Sequence, residues 1–114
     1  MEKIELPDKE YIQVVKNGKT VTYCTMRQKV LHVVGLDNAR HRPYTRHGKR
    51  FYKPYRNYFS GNDKDLDVLV DAGYMDVEES GYEEPNDYRI YYFNRKGLDW
   101  LGEQLGIYIH NVRD

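Results

Sequence analysis

The chain has 114 residues, enough for one domain with a modest hydrophobic core, and its twelve tyrosines argue against disorder of the whole chain. Its 18 basic and 18 acidic residues give a formal net charge of zero at neutral pH. A single cysteine, Cys24, excludes an internal disulfide and a multi-cysteine zinc site. The sequence shows neither a membrane-spanning apolar run nor a signal-peptide pattern, so we expect a cytoplasmic protein without a membrane partner.

The first predicted element is a β-hairpin within residues 1–24. Two β-prone runs flank Asn17 and Gly18, the pair preferred in type I′ turns. A two-residue turn brings a set of apolar side chains to one face: Ile12, Val14, Val21 and Tyr23. We expect this face to pack on the core, and Cys24 to be a small buried thiol.

A helix is predicted next, over residues 25–35. Thr25 and Gln28 have the spacing of a capping box, and Gly35 is a stop signal. Apolar residues recur at helical spacing between them: Met26, Val30, Val33 and Val34. The pattern therefore indicates an amphipathic helix of about two to three turns.

The basic segment, residues 40–56, reads RHRPYTRHGKRFYKPYR and contains no acidic residue. Its seven cations leave 11 basic residues against 18 acidic ones, so the rest of the chain carries a net charge of −7. Prolines and a glycine predict a basic aromatic loop over residues 40–59, with a short extended piece at 50–52 and a helical turn at 55–59. Such charge separation points to a polyanionic partner.

The C-terminal half, residues 62–106, is predicted as helix, strand, loop, strand and helix. Asn62 or Asp63 caps the first helix, which ends before Gly73. Strands are expected at 75–79 and 88–93, and Asn94 caps the last helix, which Gly106 closes. Residues 107–109 predict a terminal strand. The whole chain is thus predicted to be a small single α+β domain.

The runs LVDAGYMDVEE (residues 69–79) and YRIYYFNRKGLDWL (residues 88–101) resemble the C-terminal half of a winged helix, as in transcription regulators of the MarR and PadR type. The resemblance covers about residues 63–105 and implies DNA binding in transcription regulation. The whole chain is also similar in character to small uncharacterised phage and prophage proteins of Firmicutes. However, thirteen acidic residues oppose five basic ones between residues 61 and 114, which disfavours docking of this half in a major groove.

We therefore predict a non-catalytic protein that contacts phosphates and bases through the basic segment. The candidate nucleic-acid-binding residues are Arg40, Arg42, Arg46, Lys49, Arg50, Lys53, Arg56, Tyr44, Tyr52 and Tyr55. Phe51 offers a further ring for stacking. Two other interpretations stay open: the segment pairs with the acidic half of its own chain or of a second copy in a homodimer, or it is a solvated loop. No nucleophile, phosphate-binding or metal-binding motif is present, so no enzyme activity or cofactor is predicted.

The alternative hypothesis is a phage-type interaction module or inhibitor that binds a basic protein partner through its acidic surface. The candidate residues are Asp67, Asp71, Glu78, Glu79, Glu83 and Glu84. A solvated acidic loop also explains this cluster.

Overall fold

The computed structural model describes residues 4–79 and 89–112, and these form a small α+β domain, which confirms the predicted fold class. In chain order the elements are β1 (Tyr11–Lys16), β2 (Lys19–Cys24), α1 (Met26–Val34), β3 (Tyr44–Arg46), β4 (Lys49–Tyr52), β5 (Phe59–Gly61), α2 (Lys64–Asp71), β6 (Met75–Glu79), β7 (Arg89–Phe93), α3 (Arg95–Leu105) and β8 (Tyr108–Ile109). The strands form three sheets, ordered β1-β2, β3-β4-β8 and β5-β7-β6.

The N-terminal hairpin has the predicted turn and register. Asn17 and Gly18 both have positive φ, 51° and 76°, as a type I′ turn requires. Ile12 lies opposite Tyr23, and Val14 lies opposite Val21. The turn residues Asn17 and Gly18 were therefore sufficient to predict this hairpin and its register.

The prediction that this hairpin packs on the core is wrong. Ile12 is 48% exposed and Val14 is 38% exposed, and no residue of either strand is buried. Within the part of the chain that the structure describes, the two strands pair only with each other. The junction with α1 is held by Thr25, whose amide donates to the Glu10 carbonyl at 2.9 Å. Cys24 is likewise exposed, so the prediction of a buried thiol is also wrong.

Helix α1 has the predicted buried stripe. Val30, Val33 and Val34 are fully buried, and Gly35 ends the helix in the left-handed conformation with φ of 80°. The predicted capping box is not formed, because the Thr25 hydroxyl donates to the Lys9 carbonyl at 2.6 Å instead of accepting from the helix. The first turn of α1 is therefore attached to the preceding chain.

The later helices begin at the predicted caps. The Asp63 carboxylate accepts hydrogen bonds from the amides of Asp65 and Leu66, at 2.9 and 3.1 Å, at the start of α2. The Asn94 side chain accepts from the Gly97 amide at 2.9 Å at the start of α3. Both side chains satisfy amides that have no partner within the helix, which fixes where each helix starts.

The predicted helical turn at residues 55–59 is wrong, because this segment leads into β5. Phe59 pairs with Tyr91 of the adjacent strand β7. Before it, the side chain of Asn57 donates to the Phe93 carbonyl and accepts from the Phe93 amide, both at 2.9 Å. Backbone pairing with β7 therefore outweighs any local helical preference.

The core lies between the helices and the inner faces of the two three-stranded sheets. Its buried apolar residues are Leu6, Val30, Val33, Val34, Tyr52, Leu66, Leu69, Met75, Tyr91, Phe93, Leu98, Trp100, Leu101 and Ile109. Among the helices that the structure describes, none has the length and apolar character needed to cross a membrane.

Candidate nucleic-acid interface

The basic segment forms a β-hairpin, not the loop that the sequence predicts. Strands β3 and β4 pair around His47 and Gly48, whose φ values of 52° and 76° match a type I′ turn. Strand β4 then pairs in parallel with β8, so that Phe51 lies beside Tyr108. Only the short extended piece predicted at residues 50–52 is confirmed, as part of β4.

Alternation along these strands divides their side chains between two faces. Tyr52 and Ile109 point inward and are buried in the core. The outer surface, which we call the aromatic face, carries the opposite set: Tyr44, Arg46, Lys49, Phe51, Tyr108 and His110. The sheet therefore presents rings and cations outward while its inner side stabilises the fold.

The rings of the aromatic face contact one another across all three strands. Tyr44 and Phe51 are 5.9 Å apart between centroids, with planes at 27°. Phe51 and His110 are also 5.9 Å apart, at 26°. Tyr108 meets Phe51 and His110 edge-on, at 6.2 and 4.9 Å. The result is a continuous ring cluster in which Tyr44 and Tyr108 remain 46% and 45% exposed.

Two contacts hold the C-terminal side of this cluster in place. The His110 amide donates to the Tyr52 carbonyl at 2.9 Å, which continues the pairing beyond β8. Arg95 donates to the Ile109 carbonyl at 2.6 Å and to Asp99 at 2.7 Å, and its guanidinium lies 5.1 Å from the Tyr108 ring centroid. Tyr108 and His110 are therefore anchored by backbone and by α3.

The cations of the aromatic face lie at the turn end of the hairpin. Arg46 lies directly opposite Lys49, and both are exposed. Arg50 is also exposed, but it lies opposite Thr45 on the other side of the sheet. None of the ion pairs found within residues 4–79 and 89–112 involves these three side chains. A 560 Å³ groove beside β4 is lined by Lys49, Arg50 and also Glu103 of α3. Apart from Glu103, its lining is basic, apolar or backbone.

Two of the predicted site residues serve the fold instead. Tyr52 is 2% exposed, and its hydroxyl donates to the Val34 carbonyl at 2.7 Å. Arg56 is half-buried, and its guanidinium donates through Nε, at 3.0 Å, and through Nη2 to the His32 carbonyl at the end of α1. Tyr52 therefore lies outside the candidate site, and Arg56 caps the C-terminal end of α1.

The remaining predicted residues lie outside the aromatic face. Tyr55 stacks on His41 at 3.9 Å and covers Gly35, although its ring stays partly exposed. Arg42 donates to the Ala39 carbonyl at 3.1 Å. Arg40 and Lys53 are exposed. The basic segment thus contains one organised surface, the aromatic face, and a set of separate cations.

The acidic residues of α2 are partly neutralised within the chain. Asp67 accepts from the Tyr91 hydroxyl at 2.6 Å and lies 3.6 Å from Arg89. Burial and this hydrogen bond raise the pKa of Tyr91. Asp71 and Glu78 are exposed, whereas Glu83, Glu84 and the side chain of Glu79 lie outside the described residues.

Sequence reasoning missed Tyr108 and His110 because they join the basic segment from the far end of the chain. The alternation of Ile107, Tyr108, Ile109 and His110 was a signal for one polar and one apolar face. No residue pattern, however, indicated β4 as the partner strand.

Among the described residues, no group of three or more His, Cys, Asp or Glu side chains could hold a metal ion.

Comparison with known proteins adds no relative: no protein-family model matches the chain, and neither a curated protein nor a solved structure is significantly similar to it.

Proposed function

We propose that this protein is a non-catalytic nucleic-acid-binding protein, with a regulatory or accessory role, that contacts phosphates through the exposed cations of the β3–β4 hairpin. The observation that supports it is the position of the opposed cations Arg46 and Lys49 beside the ring cluster of the aromatic face, with no ion pair to any described acid. Like charges directly opposite each other in a sheet are destabilising. A bound phosphate would relieve that repulsion.

The surfaces that a winged helix would use give less support. Helix α2 presents Asp65, Asp67 and Asp71, with Lys64 its single base. Even with Asp65 paired to Lys29 and Asp67 to Arg89, such a surface offers little attraction to a phosphate backbone. The proposal therefore places nucleic acid on the basic hairpin and away from α2. The alternative, an acidic surface for a basic protein, has less support because Asp67 is already held by Tyr91 and Arg89.

A matched pair of variants tests the proposal. Arg46→Ala/Lys49→Ala removes two cations opposed at a hairpin turn, and Lys16→Ala/Lys19→Ala removes the equivalent opposed pair from the N-terminal hairpin. Binding of labelled single-stranded and duplex oligonucleotides is measured by fluorescence anisotropy over a series of salt concentrations. Both variants change net charge equally, so the comparison separates position from charge.

We expect Arg46→Ala/Lys49→Ala to weaken binding and to reduce the magnitude of the log–log salt slope by about 1.4–1.8, since each lost phosphate contact removes about 0.7–0.9. Lys16→Ala/Lys19→Ala should bind nearly as the unmodified protein does. The proposal fails if the unmodified protein binds no oligonucleotide at low salt. Equal losses in the two variants would also overturn it, because they would show non-specific attraction.

A further inference from the structure

We infer that the nucleic acid bound at the aromatic face is single-stranded, and that its unpaired bases stack on the rings of Tyr44, Phe51 and Tyr108. This inference rests on the proposed function, and it adds the chemical class of the ligand. The observation that supports it is the ring cluster, because phosphate binding by the cations does not require exposed rings beside them.

The rings of the aromatic face are not needed for the core. The inner side of the same sheet already supplies Tyr52 and Ile109 to the buried cluster. On the outer side, Tyr44 and Tyr108 leave nearly half of their surface exposed, at 46% and 45%. Solvent-exposed apolar surface that is gathered into one cluster, and not scattered singly, marks a binding site.

The ring cluster suits unpaired bases better than a duplex. Every base has an aromatic face, and in single strands that face is free to stack on Tyr, Phe or His side chains. In a duplex the base faces are covered by neighbouring base pairs, and sequence is read by a helix or ribbon in the major groove. Rings that line a sheet surface, as Tyr44, Phe51 and Tyr108 do, match the first arrangement.

The cations are placed to hold the backbone of the same strand. Arg46 is two residues from Tyr44 on one strand, and Lys49 is two residues from Phe51 on the next. Residues two apart on a strand share a face and lie about 7 Å apart. A nucleotide whose base stacks on these rings can therefore place its phosphate beside the cations at the turn.

The experiment combines a protein change with a ligand change. The protein variants are Tyr44→Ala/Tyr108→Ala, which removes two rings, and Tyr44→Phe/Tyr108→Phe, which keeps them. Tyr11→Ala is the control, because Tyr11 is an equally exposed ring on the other hairpin, at 51%. The ligands are oligothymidylate, oligouridylate and an abasic oligonucleotide of the same length, which has the same phosphates and no bases.

We expect the double alanine variant to bind oligothymidylate more weakly than the unmodified protein, by about 5- to 150-fold for each stacked base that it loses. Its affinity for the abasic strand should be unchanged, so that the preference for bases falls, although Phe51 is still present. The double phenylalanine variant and Tyr11→Ala should keep that preference. Tighter binding of oligothymidylate or of oligouridylate than of the abasic strand supports the inference.

Failure of this inference differs from failure of the proposed function. If the double alanine variant binds oligothymidylate as tightly as the unmodified protein, while Arg46→Ala/Lys49→Ala does not, phosphates are bound without stacking and only the inference is overturned. Tighter binding of duplex than of single strands would likewise overturn only the inference and not the proposed function. If no oligonucleotide binds, both fail. Circular dichroism checks folding, and Tyr44→Ala alone, on the edge strand β3, replaces the double variant if that variant is unfolded.

Discussion

The Tyr52 hydroxyl donates a 2.7 Å hydrogen bond to the carbonyl oxygen of Val34, the last residue of α1. This bond joins the inner side of the basic hairpin to the end of the helix that precedes it. Because Tyr52 and Phe51 are neighbours on β4, burial of Tyr52 turns Phe51 to the outer surface. One buried tyrosine thus determines which side of the sheet presents the aromatic face.

Tyr52→Phe should lower the free energy of unfolding by about 1–2 kcal/mol, because it leaves the buried Val34 carbonyl without this donor while keeping the ring. Urea unfolding monitored by circular dichroism measures the change. Tyr58→Phe is the control, since Tyr58 is exposed and should tolerate the same change within about 0.5 kcal/mol. Equal stability of Tyr52→Phe and the unmodified protein would contradict the role of this bond.

Because the Tyr52 hydroxyl is buried, we predict that the protein loses stability at high pH. Burial, and then the nearby charges of Tyr55 and Asp37, raise the pKa of Tyr52 from 10.0 to about 12. A raised pKa in the folded state favours the protonated hydroxyl, so its contribution is complete below pH 10 and is lost as the pH rises through 12. The stability difference between the unmodified protein and Tyr52→Phe should therefore shrink over that range. A difference independent of pH would refute the assignment.

The elements that the sequence predicted well are those whose signals lie within a few residues. Asn17 and Gly18 determine a turn through their own backbone conformation, and Asp63 and Asn94 start helices by accepting hydrogen bonds from amides two or three residues later. None of these interactions requires knowledge of distant parts of the chain. They were therefore readable directly from the sequence.

The candidate site was less predictable because it depends on long-range pairing. The turn residues His47 and Gly48 are not one of the pairs preferred in type I′ turns, so the hairpin of β3 and β4 had no strong local signal. Which of Phe51 and Tyr52 faces outward depends on the core beneath, and Tyr108 reaches the site only because its strand, β8, pairs with β4. The packing of the N-terminal hairpin was mispredicted for the same reason. Alternation along its strands shows that one face is apolar, but it does not show whether the core covers that face.

Lys29 links the two helices that flank the core and should stabilise the fold modestly. Its ammonium lies 3.0 Å from Asp63 and 2.8 Å from Asp65. Burial by itself would lower the pKa of Lys29, but the hydrogen bonds and charges of these two aspartates raise it above 10.5. A double-mutant cycle of Lys29→Met with Asp65→Asn should give a coupling of about 0.5–1 kcal/mol that declines at high salt. A coupling free energy near zero at low salt would show that the ion pair between Lys29 and Asp65 does not stabilise the fold.

Asn57 should be more important to stability than its place in a connecting segment suggests. Its side chain forms two 2.9 Å hydrogen bonds with the backbone of Phe93, as a further strand residue would. Asn57→Ala leaves both backbone groups without a partner and should cost about 1–3 kcal/mol. Ser60→Ala, at an exposed position on β5, should cost less than about 0.5 kcal/mol. Comparable losses in the two variants, measured by urea unfolding, would contradict this role.

The last prediction is that substitutions on the exposed apolar face of the N-terminal hairpin change stability little. Val14 is 38% exposed and Val30 is fully buried, so the same substitution tests both environments. Val30→Thr places a hydroxyl in the core and should cost about 1–3 kcal/mol, whereas Val14→Thr should cost less than about 0.5 kcal/mol. Urea unfolding measures both. If Val14→Thr costs as much as Val30→Thr, the face is covered in solution, and a sedimentation measurement would then show whether a second copy of the chain covers it.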